Sequence, residues 1–133
     1  MIRVAIVDDH AHMRHSLRAY LESLGDMQVV AEGGNGRDAA LIARRWRPDV
    51  LLMDLAMPGR NGLHALAAVR AQAPGVAVLI LSGYPPEPHA RQMLGLGAAG
   101  FLHKNCEPDQ IAQALRAVAA GRLDVKPAAD AAA

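Results

Sequence analysis

The chain has 133 residues and a formal net charge of +1, a size that suits one domain with one core. Apolar residues reach 52%, so the core is sizeable, and near-neutrality offers no bulk attraction to nucleic acid or an anionic membrane. No apolar stretch approaches the length needed to span a bilayer, and the single cysteine, Cys106, excludes an internal disulfide.

The run Ile2-Arg3-Val4-Ala5-Ile6-Val7 reads as a strand, with no signal-peptide pattern before it. That start, with the lone cysteine, suits a cytoplasmic protein. A helix is expected over 11–24, where Leu17, Tyr20, Leu21 and Leu24 recur at helical spacing. Further strands are expected over 28–32, 49–53, 76–81 and 99–102, and further helices over 36–46, 62–73, 87–96 and 107–120. Gly25, Gly59, Gly62, Gly75 and Gly97 fall at junctions, as turn and cap residues do. Pro108 suits the first turn of the last helix, with caps expected from Asn105 to Glu107. Strand and helix alternating five times predict an α/β fold, a parallel sheet with helices on both faces. The domain is expected over 1–121. Residues 122–133, with Pro127 and an alanine-rich end, read as a C-terminal tail or linker stub.

Chemistry concentrates where strands end. Asp8 and Asp9 follow the first strand, Asp54 the third, Ser82 the fourth and Lys104 the fifth, whereas Asp49 opens the third strand as a turn residue. In an open parallel sheet those ends share one edge, where ligands bind. Mg²⁺ takes oxygen ligands, so Asp8, Asp9 and Asp54 form a candidate site. Asp9 and Asp54 are the expected direct ligands, Asp8 acts partly through water, and the backbone carbonyl of Ala56 is within reach. Asp54, alone at a central strand tip, is the candidate nucleophile toward phosphorus. Lys104 is one of two lysines against twelve arginines, which suggests a compact point charge for one phosphoryl oxygen. The Ser82 hydroxyl would serve another. Each element alone has a plainer reading: Asp8 and Asp9 as helix caps, Asp54 and Ser82 as loop residues, Lys104 as a solvated cation. Their combination is what points to a site.

Other signals are weaker. His10, His12 and His15 do not share one helical face and read as surface residues. Gly33-Gly34-Asn35-Gly36 lacks dinucleotide-motif spacing and reads as a turn. Arg44, Arg45 and Arg47 beside Trp46 read as a solvated helix end.

Taken together, Val7-Asp8-Asp9-His10, Leu52-Met53-Asp54-Leu55-Ala56-Met57-Pro58, Leu81-Ser82-Gly83 and Gly97 to Lys104 resemble the receiver domain of two-component response regulators, over about residues 2–121. Asp9-His10, Gly34-Asn35-Gly36 and Phe101-Leu102-His103-Lys104-Asn105 are most similar to the NarL/FixJ-type subgroup. The resemblance implies a flavodoxin-like, doubly wound sheet of five strands in the order 2-1-3-4-5 with five helices. It implies that Asp54 accepts a phosphoryl group from a sensor histidine kinase with Mg²⁺ bound by Asp8 and Asp9, that Lys104 and Ser82 contact the group, and that Phe101 is the aromatic switch. Without it, Phe101 reads as a core aromatic.

The chain departs from the family in three places. Ser82 stands where threonine is common, Asn105 where proline is common, and Tyr84-Pro85-Pro86-Glu87-Pro88 is proline-rich for a loop that must move. The resemblance also implies a phosphoacceptor that assists its own phosphorylation and dephosphorylation rather than a turnover enzyme. Partners would be the kinase and a second copy, through the first and fifth helices or the fourth helix, fifth strand and fifth helix. Transcription would be regulated through a DNA-binding output domain absent from this chain. The alternatives are a stand-alone receiver acting by protein–protein interaction and an aspartyl phosphatase. The latter is disfavoured because Ala56 stands where a second acid is usual.

Overall fold

Alternation of apolar residues along each strand decides the layers. The computed structural model describes residues 1–55, 60–83 and 89–121. Among these lie β1 (Ile2–Asp8), α1 (Ala11–Ser23), β2 (Met27–Gly33), α2 (Gly36–Trp46), β3 (Val50–Leu55), α3 (Arg60–Gln72), β4 (Ala77–Ser82), α4 (His89–Gly95), β5 (Gly100–His103) and α5 (Pro108–Ala119). The strands pair in parallel in the order β2-β1-β3-β4-β5, the doubly wound order that the family resemblance implies. Ala5, Val7, Leu51, Met53, Val78 and Ile80 enter one core layer with residues of α2, α3 and α4. Val4, Ile6, Val50, Leu52, Leu79 and Leu81 enter the other, with residues of α1 and α5. Each fully buried Leu, Ile or Val contributes roughly 1.5–3 kcal/mol, so the two-sided burial of the central strands holds their ends in register.

Element bounds differ from the sequence reading by one or two residues. The α3 helix starts earlier than expected, at Arg60, so Gly62 lies inside its first turn rather than at a junction. The carbonyl of Ala56, the loop from Tyr84 to Pro88, Gly59 and the tail 122–133 lie outside the described residues.

Local chemistry explains where helices begin and stop. The Asn35 side chain accepts the Asp38 N–H at 3.1 Å and starts α2. Glu107 and Gln110 form a reciprocal capping box at α5, with Pro108 in the first turn. At the edge where strands begin, the Arg3 guanidinium donates to the carbonyls of Trp46 and Arg47 at 2.7 and 2.8 Å. The Arg3 N–H donates to Asp49 Oδ2 at 2.8 Å. Asp49 is therefore the structural strand-start residue that its position suggested.

The β1–β2 register is irregular. Val4 pairs with Val29 but Ala5 with Ala31, so β2 carries an extra residue, Val30. A single extra residue reverses which face the following side chains occupy.

Gly97 and Gly25 both have positive φ, +101° and +86°, where a Cβ is strained by about 1–2 kcal/mol. A Cβ on Gly25 meets open space, whereas on Gly97 it would lie 2.9 Å from Arg70 Nε. The Arg70 guanidinium is itself bonded to the carbonyls of Pro74 and Val76. Urea unfolding should show Gly97→Ala more destabilised than Gly25→Ala; equal losses would contradict the close approach.

Candidate functional site

Register brings the strand-end residues together. Asp8 on β1 lies opposite Asp54 on β3, Leu55 opposite Ser82 on β4, and Ser82 opposite His103 on β5. The Lys104 N–H donates to the Ser82 carbonyl at 2.7 Å and carries the pairing one residue past β5. Among the described residues, the buried polar side chains are those of Asp8, Asp54 and Ser82. All three sit at this one edge. A fold that buries polar side chains chiefly at the ends of its central strands is spending stability on something other than packing.

The electrostatics are unbalanced. Lys104 Nζ stands 3.2 Å from Asp54 Oδ1, an ion-pair distance. Yet that buried oxygen has no hydrogen-bond partner among the described residues; the ammonium is close without being aligned. Burial, and after it the neighbouring Asp8 carboxylate, push the Asp54 carboxyl up to about 7, with Lys104 opposing only part of the shift.

Asp9 differs from its neighbour. Its side chain is half exposed and lies 3.0 Å from His10 Nδ1. The Asp8 carboxylate accepts the His10 N–H at 2.8 Å, so Asp8 orders the turn into α1 while also facing Asp54. Carboxylate oxygens of Asp8 and Asp9 and the His10 ring nitrogen all lie within 4.8 Å of one another. His10 is exposed, as expected of a surface residue, and its place directly after two aspartates brings its ring to them. His12 and His15 stay exposed and do not join it. Phe101 is fully buried in the layer that also holds Ile80 and Met93. On α2, Arg45 lies over the Trp46 ring at 5.8 Å, consistent with the solvated helix end expected there.

A hard divalent cation fits this donor set. The carboxylates of Asp8, Asp9 and Asp54 offer the ligand type that Mg²⁺ prefers. A cation there would oppose both the burial and the Asp8 carboxylate that raise Asp54.

Comparison with known protein families matches residues 4–116 to the response regulator receiver domain. The chain belongs to that family. Receiver domains of this kind generally take Mg²⁺ at an acidic site and interact with histidine kinases. The chain is 34% identical over 127 residues to the response regulator GacA of Pseudomonas aeruginosa, covering 96% of this chain and 59% of that protein. It is also 34% identical to the transcriptional regulatory protein DegU of Brevibacillus brevis, covering 95% and 53%. The chain thus spans little more than half the length of these curated relatives. Among solved structures, the signal receiver domain of NarL from Mycobacterium tuberculosis is similar with a TM-score of 0.83 and 36% identity, covering 91% of this chain and 98% of that one. No described helix is long and apolar enough to cross a membrane.

The raised Asp54 value fixes a sign. The folded protein holds a proton there that the unfolded chain releases near 3.8. The favourable contribution is therefore fully present below pH 4 and is lost as pH rises to about 7. In EDTA, Asp54→Asn should remove this dependence and raise stability above pH 7. Chemical denaturation across that pH range checks it; a variant less stable than the parent at pH 8 would contradict it.

Proposed function

We propose that Asp54 accepts a phosphoryl group from a phosphohistidine on a sensor histidine kinase. An Asp54 carboxylate oxygen forms the new P–O bond. The P–N bond breaks, and the imidazole leaves with its electron pair and regains a proton from solvent. The observation that carries this reading is the buried Asp54 Oδ1, unpartnered among the described residues and 3.2 Å from the Lys104 ammonium. An acceptor oxygen without a hydrogen bond is available for bonding, and a nearby cation suits the negative charge that arrives with phosphorus.

Asp8, Asp9 and Asp54, with the carbonyl of Ala56, would hold Mg²⁺, which supplies charge neutralisation at the phosphoryl oxygens. Lys104 holds one of those oxygens by charge, and the Ser82 hydroxyl donates to another. Ser82 pairs with His103, two residues beyond the buried Phe101, so a pull on Ser82 bears on the strand that carries the aromatic. The charge change would then bias the α4-β5-α5 surface, and a second copy of the chain would pair there or through α1 and α5. The chain is a phosphoacceptor that assists its own phosphorylation and dephosphorylation, not a turnover enzyme. It acts in the cytoplasm. The transcriptional relatives favour gene regulation through an output domain over a stand-alone role.

Incubation with acetyl phosphate and Mg²⁺, read by intact mass, should add one phosphoryl group. Asp54→Asn should take up none, and Lys104→Ala should label about 100-fold more slowly. Uptake unchanged in Asp54→Asn would overturn the assignment. At about 100 times its Kd, Mg²⁺ should stabilise the parent by about 3 kcal/mol. Melting curves in Mg²⁺ and in EDTA that coincide would contradict the metal site.

A further inference from the structure

Arg14 takes no direct part in the proposed phosphoryl transfer. The side chain is largely buried, 15% exposed, and its donors are split between two kinds of acceptor. Nε donates to Glu32 Oε1 at 2.9 Å. Nη1 donates to the Asp8 main-chain carbonyl at 2.6 Å and lies 3.5 Å from the Gly33 carbonyl. One guanidinium therefore joins α1 to the C-terminal ends of β1 and β2. Its shortest contact is to the backbone of a residue whose carboxylate faces Asp54.

Glu32 is in position to hold Arg14 because of the extra residue in β2. Val29 packs in the core layer that includes residues of α1 and α5, whereas Ala31 packs against the layer that includes α2 and α3. Two residues apart in a regular strand share a face; here Val30 reverses the phase. Glu32 consequently turns to the α1 side, where both Arg14 and Arg18 meet it. Arg18 Nη1 lies 2.5 Å from Glu32 Oε2. Those arginines hold the Glu32 carboxyl below its ordinary value against the opposing effect of burial.

We propose that Arg14 is a positioning residue for the metal and phosphoryl site: clamped by Glu32, it fixes the Asp8 backbone and so sets where the Asp8 carboxylate stands relative to Asp54. This rests on the proposed reading of Asp8 as a metal-holding residue. The planar fork is essential, because a lysine has a single nitrogen and cannot span the Glu32 carboxylate and the Asp8 carbonyl in one fixed geometry. Outer contacts that orient metal-holding residues commonly change affinity by about 10–100-fold when removed.

Arg18 provides the control. It shares Glu32, but among the described residues its hydrogen bonds go to Glu22 and Glu32, not to Asp8. Arg18→Gln therefore weakens the same ion-pair cluster without releasing the Asp8 carbonyl. Mg²⁺ affinity is measured by titration calorimetry for the parent, Arg14→Lys, Arg14→Gln and Arg18→Gln, each shown folded by circular dichroism. Acetyl phosphate labelling is then followed at limiting and at saturating Mg²⁺. Both Arg14 variants should lose about tenfold in Mg²⁺ affinity, with Arg18→Gln within about twofold of the parent. Labelling by the Arg14 variants should be slow at limiting Mg²⁺ and recover at saturation. Equal affinity in Arg14→Lys and the parent, or equal losses in Arg14→Gln and Arg18→Gln, would overturn the inference. If Arg14→Gln fails to fold, Arg14→Lys alone decides. Failure of the parent to bind Mg²⁺ or take up phosphoryl would instead overturn the underlying reading of the site.

Discussion

The protein depends on an unresolved conflict between two carboxylates. Asp8 and Asp54 face each other across neighbouring strand ends, both withdrawn from water, with Lys104 as the nearby cation. In bulk water such a pair repels weakly; under a low local dielectric the repulsion reaches several kcal/mol. Burial and this repulsion together push the Asp54 carboxyl up to about 7, and leave one of its oxygens without a hydrogen bond among the described residues. A core of this size could have filled that edge with aliphatic side chains. Keeping charge there makes sense if something positive is to arrive and something negative is to be added.

The surrounding fold holds this conflict in place. The central strands are buried on both faces, so their ends cannot slide without displacing whole core layers. At the opposite edge, Arg3 ties the end of α2 and the start of β3 to β1, which anchors the register that sets Asp8 beside Asp54. At the functional edge, the Glu32–Arg14 clamp grips the Asp8 backbone.

Much of this was legible from the chain. Apolar runs and glycine punctuation located five strands and five helices within a residue or two, because doubly buried strands leave little ambiguity about where water begins. The candidate residues were legible as a set at one edge, since Asp8, Asp9, Asp54, Ser82 and Lys104 all follow apolar runs and parallel strands end together. Individual roles were less so. Asp8 and Asp9 look equivalent in sequence, yet one is buried against Asp54 and the other half exposed beside His10. Adjacent residues at a strand end point opposite ways, and periodicity alone does not say which one turns inward.

Sequence by itself determined the α/β class and the edge at which acidic and cationic side chains gather, because both follow from local patterns of burial and alternation, and its motifs gave the family. Tertiary structure alone decided the pairing of Asp8 with Asp54, the unpartnered oxygen and the reach of Arg14 to Glu32. The last of these turns on Val30, one extra residue that reverses the face of everything after it in β2. Such a reversal depends on how β2 aligns with β1, a contact between distant parts of the chain that a local reading cannot contain.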